Sequence, residues 1–572
     1  MKRYIIIGAA AVVVLVGVLW FVLRKDLSDH IIIPYIEHQK PRIDPQLPHA
    51  VALSDKLDEV LFDGLFNISA NPSGVVYEDA LGELIDIDTD DNIVTIRLHP
   101  KKKWHSSFNV KLDGDDVEVT PATDVFFTAQ DLRFTLRRIQ ELGSLSPDYI
   151  LVSQALASWE FDGPDNNNEI RFHFKGDRIW TEDDVKEVLS FKIIPQNSPM
   201  EAENYYIGTG PYLAATRTGT VTHFYKNPAG EANLHHVILK PFIDNSTFTT
   251  ELKNGNINVL LSTPFGSLSP ILQDSSDFFY KSNISTTFFA ILLNTQRLNR
   301  DQRREVRRLI NNKTIVNRFF KVNSPQQRHI VDYKGNRDNY DDYLNYSVFP
   351  SSSYYVDEEI VVPVKDNTPP DLSILPDSLK IVACLNYGHR EEYAELIEIL
   401  NDGSLTKNRI KALAVSNEEI KKGDYDGLLI AIDGYKSTFL FDLYNIFMRE
   451  PDLAVFRINL KTELDNKGNK VISPATWNGK NNFCRLDATS GDEDVVKFMQ
   501  YIYAFMYSNY LGDKQVYAGF VADQEQELAL GVWLFSLPSL AYFRTQFDAN
   551  SIDLYGVASQ LSTIEKWQER ED

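Results

Sequence analysis

The pentapeptide Gly208-Thr209-Gly210-Pro211-Tyr212 constrains this chain more than any other stretch. Glycine reaches positive φ without steric penalty, while proline fixes its own φ and pushes the residue before it toward extended conformations. Two glycines ahead of a proline therefore make a sharp corner and disfavour a helix. Upstream, Pro195 closes the apolar segment Phe191 to Ile194, and downstream the Tyr- and Thr-rich stretch Tyr212 to Tyr225 has strand character. This order predicts a sheet that turns at the corner. Taken alone the pentapeptide also fits an ordinary β-turn, so its weight comes from what flanks it.

Between Tyr4 and Leu23 the chain is continuously apolar, bracketed by Lys2-Arg3 and Arg24-Lys25. As a helix such a run spans about 30 Å, enough to cross a hydrocarbon core. A cleavable signal would end in small residues, but here Gly8 to Ala11 lie early and the run ends Leu19-Trp20-Phe21-Val22-Leu23, which predicts an uncleaved anchor. No cysteine near residue 23 offers a site for lipid attachment, and positive charge on both flanks leaves the orientation open.

The remaining length, in a chain of 572 residues, allows several domains. Basic residues number 58 against 80 acidic, a net charge of −22, which repels phosphate backbones and argues against nucleic acid as a partner. The short basic clusters Lys101-Lys102-Lys103 and Arg303-Arg304 with Arg307-Arg308 read as a solvated turn and a solvated helix face. Cys384 and Cys484 are the only cysteines; their spacing rules out a Cys-x-x-Cys zinc or redox motif and leaves one long-range disulfide or two buried thiols, the latter expected. Phosphate-loop, nucleophile-elbow and zinc-helix signatures are missing. His235 and His236, adjacent on a predicted strand, face opposite sides and do not readily share a metal, while His99 and His105 flank the lysine turn without further ligands. No catalytic residue, cofactor or metal is expected.

Periodicity places strands at Ile31–Ile33, Val94–Leu98 and Ile170–Phe174, and a hairpin excursion between Ser106 and Thr123. Helices are predicted from about Leu53 to Phe62 and from Ala129, the latter after a Thr128/Asp131 cap, with a shorter one after Thr181. Further on, Phe288–Leu293 reads as a buried strand, Asp301 as the cap of a helix carrying Val306, Leu309 and Ile310, and residues 321 to 378 as long loops. Leu379–Leu385, Ile410–Val415 and Leu428–Ile432 alternate with helices, the pattern of an α/β domain whose ligands gather at the carboxyl ends of parallel strands. Asp433 follows such an end. The tail predicts a helix from Asp494 to Tyr507, another from Gln524 to Leu530, and a strand from Trp533 to Ser536 stopped by Pro538.

In this order the landmarks resemble those of the bacterial extracellular solute-binding proteins of family 5, the peptide and nickel binding proteins of ABC importers. Ile43-Asp44-Pro45 followed by Leu61-Phe62-Asp63-Gly64-Leu65 looks like the family's opening Leu-Asp-Pro and Tyr-Glu-Gly-Leu. Phe127-Thr128-Ala129-Gln130-Asp131-Leu132 resembles its Thr-Ala-x-Asp-Val helix start, and Gly208 to Tyr212 its Gly-Thr-Gly-Pro-Tyr. Asn254 to Val259, Leu293-Asn294-Thr295, Val306 to Ile310, Tyr425-Asp426-Gly427-Leu428 and Leu537-Pro538 continue the series.

The resemblance implies a two-lobed α/β fold of the periplasmic-binding-protein type (type II, with an extra subdomain), preceded by one transmembrane helix. The expected division is an anchor over 1–25, lobe I over 26–66 and 179–285 with its extra subdomain over 67–178, lobe II over 286–522, and a lobe I closing segment over 523–572. It implies a peptide or small-molecule solute between the lobes, ABC permease subunits as partners, and a cell-membrane location with the soluble body periplasmic or extracellular. Asp433 matches the aspartate that pairs with a peptide's α-ammonium in such proteins, and Tyr435 is the second ligand-binding residue expected; Asp433 is equally placed to cap the turn before Gly434. The chain departs from the family pattern where Leu429-Ile430-Ala431-Ile432 replaces a tryptophan before that aspartate, where residues 106 to 123 look inserted, and where Asn258 stands for the usual aspartate. These departures keep open a rival reading, a sensor or assembly protein that kept the fold and lost transport, and a more distant one, a hydrolase using unrecognised carboxylates.

Overall fold

The computed structural model describes residues 30 to 571 apart from short breaks and the longer stretches 262–275, 321–339, 350–367, 433–442, 454–461 and 473–480. The apolar run 4–23 and the expected site residues Asp433 and Tyr435 lie outside the described residues. Among those described, no helix is long and apolar enough to cross a membrane.

Two sheets dominate. In the first, the strand His30–Ile36 runs parallel to His236–Phe242, followed by Thr222–Lys226 and Tyr212–Thr216 in antiparallel order. The second has six strands in the order Val259–Leu261, Gly531–Arg544, Phe278–Leu293, Gly427–Ile432, Leu379–Ala383, Ile410–Ala414. Its last three strands are mutually parallel, as the strand–helix alternation predicts. A further four-stranded antiparallel sheet (Gly82–Asp88, Ile93–Leu98, Glu169–Phe174, Leu156–Asp162) packs with the helix Ala129–Leu142. The expected excursion is a two-stranded hairpin, Phe108–Asp113 with Asp116–Pro121.

Phe278–Leu293 and Gly531–Arg544 pair antiparallel from Phe278 opposite Arg544 to Leu292 opposite Gly531. Their first halves are flanked by Val259–Leu261, their second halves by Gly427–Ile432. Residues from both ends are buried, Ala541 and Phe543 in one core with Ile31 and Leu239, Phe289 and Leu534 in another with Phe319 and Leu396, and Phe288 and Trp533 in a third with Leu428 and Phe483. Midway the register shifts: Ile284 faces Pro538, then Phe288 faces Ser536, so three residues on one strand oppose one on the other.

This geometry corrects two expectations. The strand predicted at Phe288–Leu293 begins ten residues earlier at Phe278; its first half bunches Phe278, Phe279 and Tyr280 at one end and shows no alternation to reveal it. Nor does Pro538 stop the strand predicted from Trp533, which runs from Gly531 through to Arg544. A proline lacks the amide that a regular ladder requires, and it sits beside the register shift, where the ladder is interrupted. Likewise the helix expected from Gln524 begins at Leu511, and the helix expected to be capped by Asp301 is capped by Asn299, which accepts from the Gln302 amide.

The two main sheets meet at Asn258. Its Oδ1 accepts from the Ile32 amide at 2.6 Å and its Nδ2 donates to the His30 carbonyl at 2.6 Å. A carboxamide offers this backbone edge both a donor and an acceptor, whereas an ionised carboxylate only accepts, which gives a local reason for asparagine where the family resemblance expects aspartate. Asn258→Asp would set a carboxylate against the His30 carbonyl. It is expected to lower stability by about 2 kcal/mol in urea unfolding at neutral pH; an unchanged midpoint would contradict this account.

Candidate functional site

The strand Gly427–Ile432 carries the chain toward the expected ligand residues. All but one of its side chains are buried, with Ala431 partly so. At its start, Asp426 is clamped from three sides: Arg297 Nε donates at 2.7 Å, the Lys380 amide at 2.7 Å, and the Asp426 carbonyl accepts from the Asn294 amide at 3.0 Å. Asn294 Nδ2 also reaches the carbonyls of Gly423 and Tyr425. A Cβ on Gly427 would lie 2.6 Å from Ile381 Cδ1 and 2.8 Å from Ile291 Cγ2, so glycine lets the neighbouring strands close over this point. The motifs Leu293-Asn294-Thr295 and Tyr425-Asp426-Gly427, far apart in sequence, are thus two sides of one junction.

At the other end, parallel pairing with Leu379–Ala383 is recorded only at Gly427 and Leu428, and the Ala431 amide instead donates to the Tyr393 hydroxyl at 2.6 Å. Ile432 lies opposite Phe288, the first residue after the register shift in the long strands. The next residue in the chain is Asp433. The carboxyl ends of Leu379–Ala383, Ile410–Ala414 and Gly427–Ile432 therefore point the same way, toward the level where the long strands change register. In α/β sheets this edge is where ligands gather. Tyr393 was not anticipated as part of this edge; its place on the inward face of Arg390–Leu400, with Leu396 and Leu400, was the available signal.

The second of the long strands is seated by a buried carboxylate. Glu525 is fully buried and accepts from the amides of Leu530 and Gly531 and from Trp533 Nε1 at 2.9 Å, and it pairs with Arg307. Arg303 donates to the carbonyls of Leu298, Leu528 and Ala529. The arginine helix is therefore not simply a solvated face: Arg303 is only 6% exposed and closes the carboxyl end of Leu511–Leu528. Arg303 on backbone carbonyls and Arg307 on Glu525 lie one helical turn apart, a spacing that by itself does not distinguish them from a surface stripe.

The organising corner is a packed joint. A Cβ on Gly208 would fall 1.8 Å from the Leu61 carbonyl oxygen, and one on Gly210 2.6 Å from the Leu61 carbonyl carbon. The Gly210 amide donates to the Leu61 carbonyl, and Thr209 Oγ1 donates to Asp63. His105 completes the joint: its Nδ1 accepts from the Gly208 amide at 3.1 Å and its Nε2 donates to the Gly210 carbonyl at 3.0 Å. With these polar groups engaged internally, the corner is not an open phosphate cradle. A second buried joint ties Ile43-Asp44-Pro45 to the helix Ala129–Leu142, where Arg138 makes a two-pronged contact with Asp44 at 2.9 Å.

Other sequence-level expectations can be placed. His235 is exposed and His236 buried, on opposite sides of the strand. Lys101 and Lys102 are exposed in a turn, and both cysteines are free and buried. Among the described residues no group of histidine, cysteine and carboxylate side chains is arranged to hold a metal. A cavity of about 220 Å³ lies between Leu309–Ile315 and Ile399–Thr406, away from the strand ends.

No family model matches the sequence and no curated protein does. Solved structures do match along almost the whole chain. NikZ from Campylobacter jejuni in complex with Ni(L-His) is 17% identical with a TM-score of 0.61, over 95% of this chain and 100% of that one. The ABC transporter substrate-binding protein CtaP from Listeria monocytogenes is 12% identical with a TM-score of 0.66, over 95% and 99%. The oligopeptide-binding protein AppA from Bacillus subtilis, in complex with a nonapeptide, is 14% identical with a TM-score of 0.61, over 95% and 99%.

Burial pushes His105 down to about 4, and its Nδ1 must stay unprotonated to accept from Gly208. In the unfolded chain histidine titrates near about 6.5, so the fold holds this contribution above that pH and loses up to about 3 kcal/mol as pH falls toward about 4. His105→Gln is expected to be less stable at neutral pH and to show a shallower acid decline in urea unfolding. An unchanged decline would remove His105 from this role.

Proposed function

We propose that this chain, which has the two-lobed fold of the substrate-binding proteins of ABC importers, is a membrane-tethered receptor that closes on a peptide-like solute and delivers it to a permease. The observation that carries the reading is the position of the Gly427–Ile432 strand end, opposite Phe288 and beside the register shift of the long strands. Asp433 enters the chain there, and Tyr435 two residues on. In this reading Asp433 pairs with the α-ammonium of the solute. A buried ammonium needs such a partner, because an unpaired ion in a closed cleft is very unfavourable. Tyr435 packs against the solute beside it.

Closure follows from differential binding: a solute that touches both lobes binds the closed arrangement better than the open one and shifts the population toward it. The reading involves no chemical step; the matched structures are binding proteins. Residues 4–23 anchor the chain in the cell membrane by a single pass, with the rest periplasmic or extracellular, next to the permease it serves.

Asp433→Asn removes the charge and keeps the size of the side chain. By calorimetry on the full-length chain, it is expected to weaken peptides with a free amino terminus by about 2 kcal/mol or more and amino-acetylated ones far less. Equal losses on both ligands would take Asp433 out of this role, and no binding of any peptide by the wild-type chain would favour a sensor or assembly function.

A further inference from the structure

Three histidines that solute binding does not use gather on the four-stranded sheet. His30 opens the first strand directly opposite His236, and Tyr225 faces His236 from the other side. His223 Nδ1 and His236 Nε2 are 3.0 Å apart, and both residues are buried. The His236 ring stacks on Tyr225 at 4.1 Å and meets the His30 ring edge-on at 4.7 Å. The Tyr225 hydroxyl lies 3.4 Å from His223 Nδ1. His30 on the first strand, Tyr225 on the strand of His223, and exposed His235 next to His236 are titratable groups near the pair. The neighbouring strand Tyr212–Thr216 presents Ala215 opposite His223, and Asn258, uncharged, holds the His30 carbonyl.

Two ring nitrogens at 3.0 Å form a hydrogen bond when one carries a proton and the other a lone pair. If both carry protons, two donors and two positive charges face each other with no acceptor between them. Histidine is the side chain whose charge changes in the mildly acidic range. We propose that His223, His236 and His30 form a proton-operated clasp on the first strand, closed at neutral pH and loosened when a second proton enters the His223–His236 pair. The loosening reaches the strand His30–Ile36 because that strand is at the sheet edge, with His236–Phe242 as its ladder partner. Where residues 4–23 anchor the chain, the clasp sits at the junction between anchor and body, so acid would free the body to move on its tether.

The test is hydrogen exchange by mass spectrometry on the full-length chain in detergent micelles, corrected for intrinsic rates, following residues 30–36 against residues 288–293 as the internal reference. Between about pH 7.5 and about pH 5.5, protection of 30–36 should fall about tenfold more than that of the reference. His223→Gln keeps a hydrogen-bonding group that cannot charge, and should bring this difference to about twofold or less. The reference strand absorbs any global acid loss, including that from His105. Should His223→Gln not fold, His236→Gln, the other member of the pair, takes its place and should shrink the difference likewise. A wild-type chain with no excess loss at 30–36, or a folded variant that keeps it in full, overturns the clasp.

Discussion

The pairing of Phe278–Leu293 with Gly531–Arg544 is the constraint on which the rest of the structure depends. Each strand is long enough to contribute to more than one core, and the ladder they form, broken by register shifts near its middle, links those cores. Both ends are fastened. At one, Asn258 and the Val259–Leu261 strand join the ladder to the first strand of the chain; at the other, Glu525 gathers the amides that begin Gly531–Arg544. Between them lies the register shift at Ile284–Phe288 opposite Leu537 and Pro538. An interrupted ladder has fewer hydrogen bonds to break when the strands bend, so the pairing is weakest there. The strand Gly427–Ile432 ends beside this point.

Several motifs that look unrelated in sequence are contact pairs in space. Gly208 to Tyr212 closes on Leu61 to Gly64 through backbone approach that only glycine permits. Ile43-Asp44-Pro45 meets the Ala129–Leu142 helix through the buried Arg138–Asp44 pair. Such a pair is weak evidence of net stability, but removing either partner would strand a buried charge. Both fix how segments distant in sequence lie against one another.

Much of this was legible because the physical signals are local. Alternation revealed Val94–Leu98 and Ile170–Phe174, and hydroxyl–acid spacing revealed the helix starts at Thr128 and Thr181. What escaped was set by partners distant in sequence. The first half of Phe278–Leu293 bunches its aromatic residues at one end and gives no period; Pro538 argues locally against a strand that its neighbours nonetheless pair. Arg303 looks like its solvated neighbour Arg304 until the end of Leu511–Leu528 arrives against it. For the site, the approach of the Gly427–Ile432 strand was readable from strand–helix alternation, whereas Asp433 and Tyr435 were named from family resemblance and position and lie outside the described residues.

The central claim, that two cores joined by this ladder enclose a solute, is tested most directly by native mass spectrometry of the chain as purified, before and after mild denaturation and refolding. The account predicts a mass excess that disappears on refolding, resolves into peptides or another small solute, and returns when that material is added back. A single ligand-free mass from the start, with no stabilisation by any added peptide pool, would contradict it.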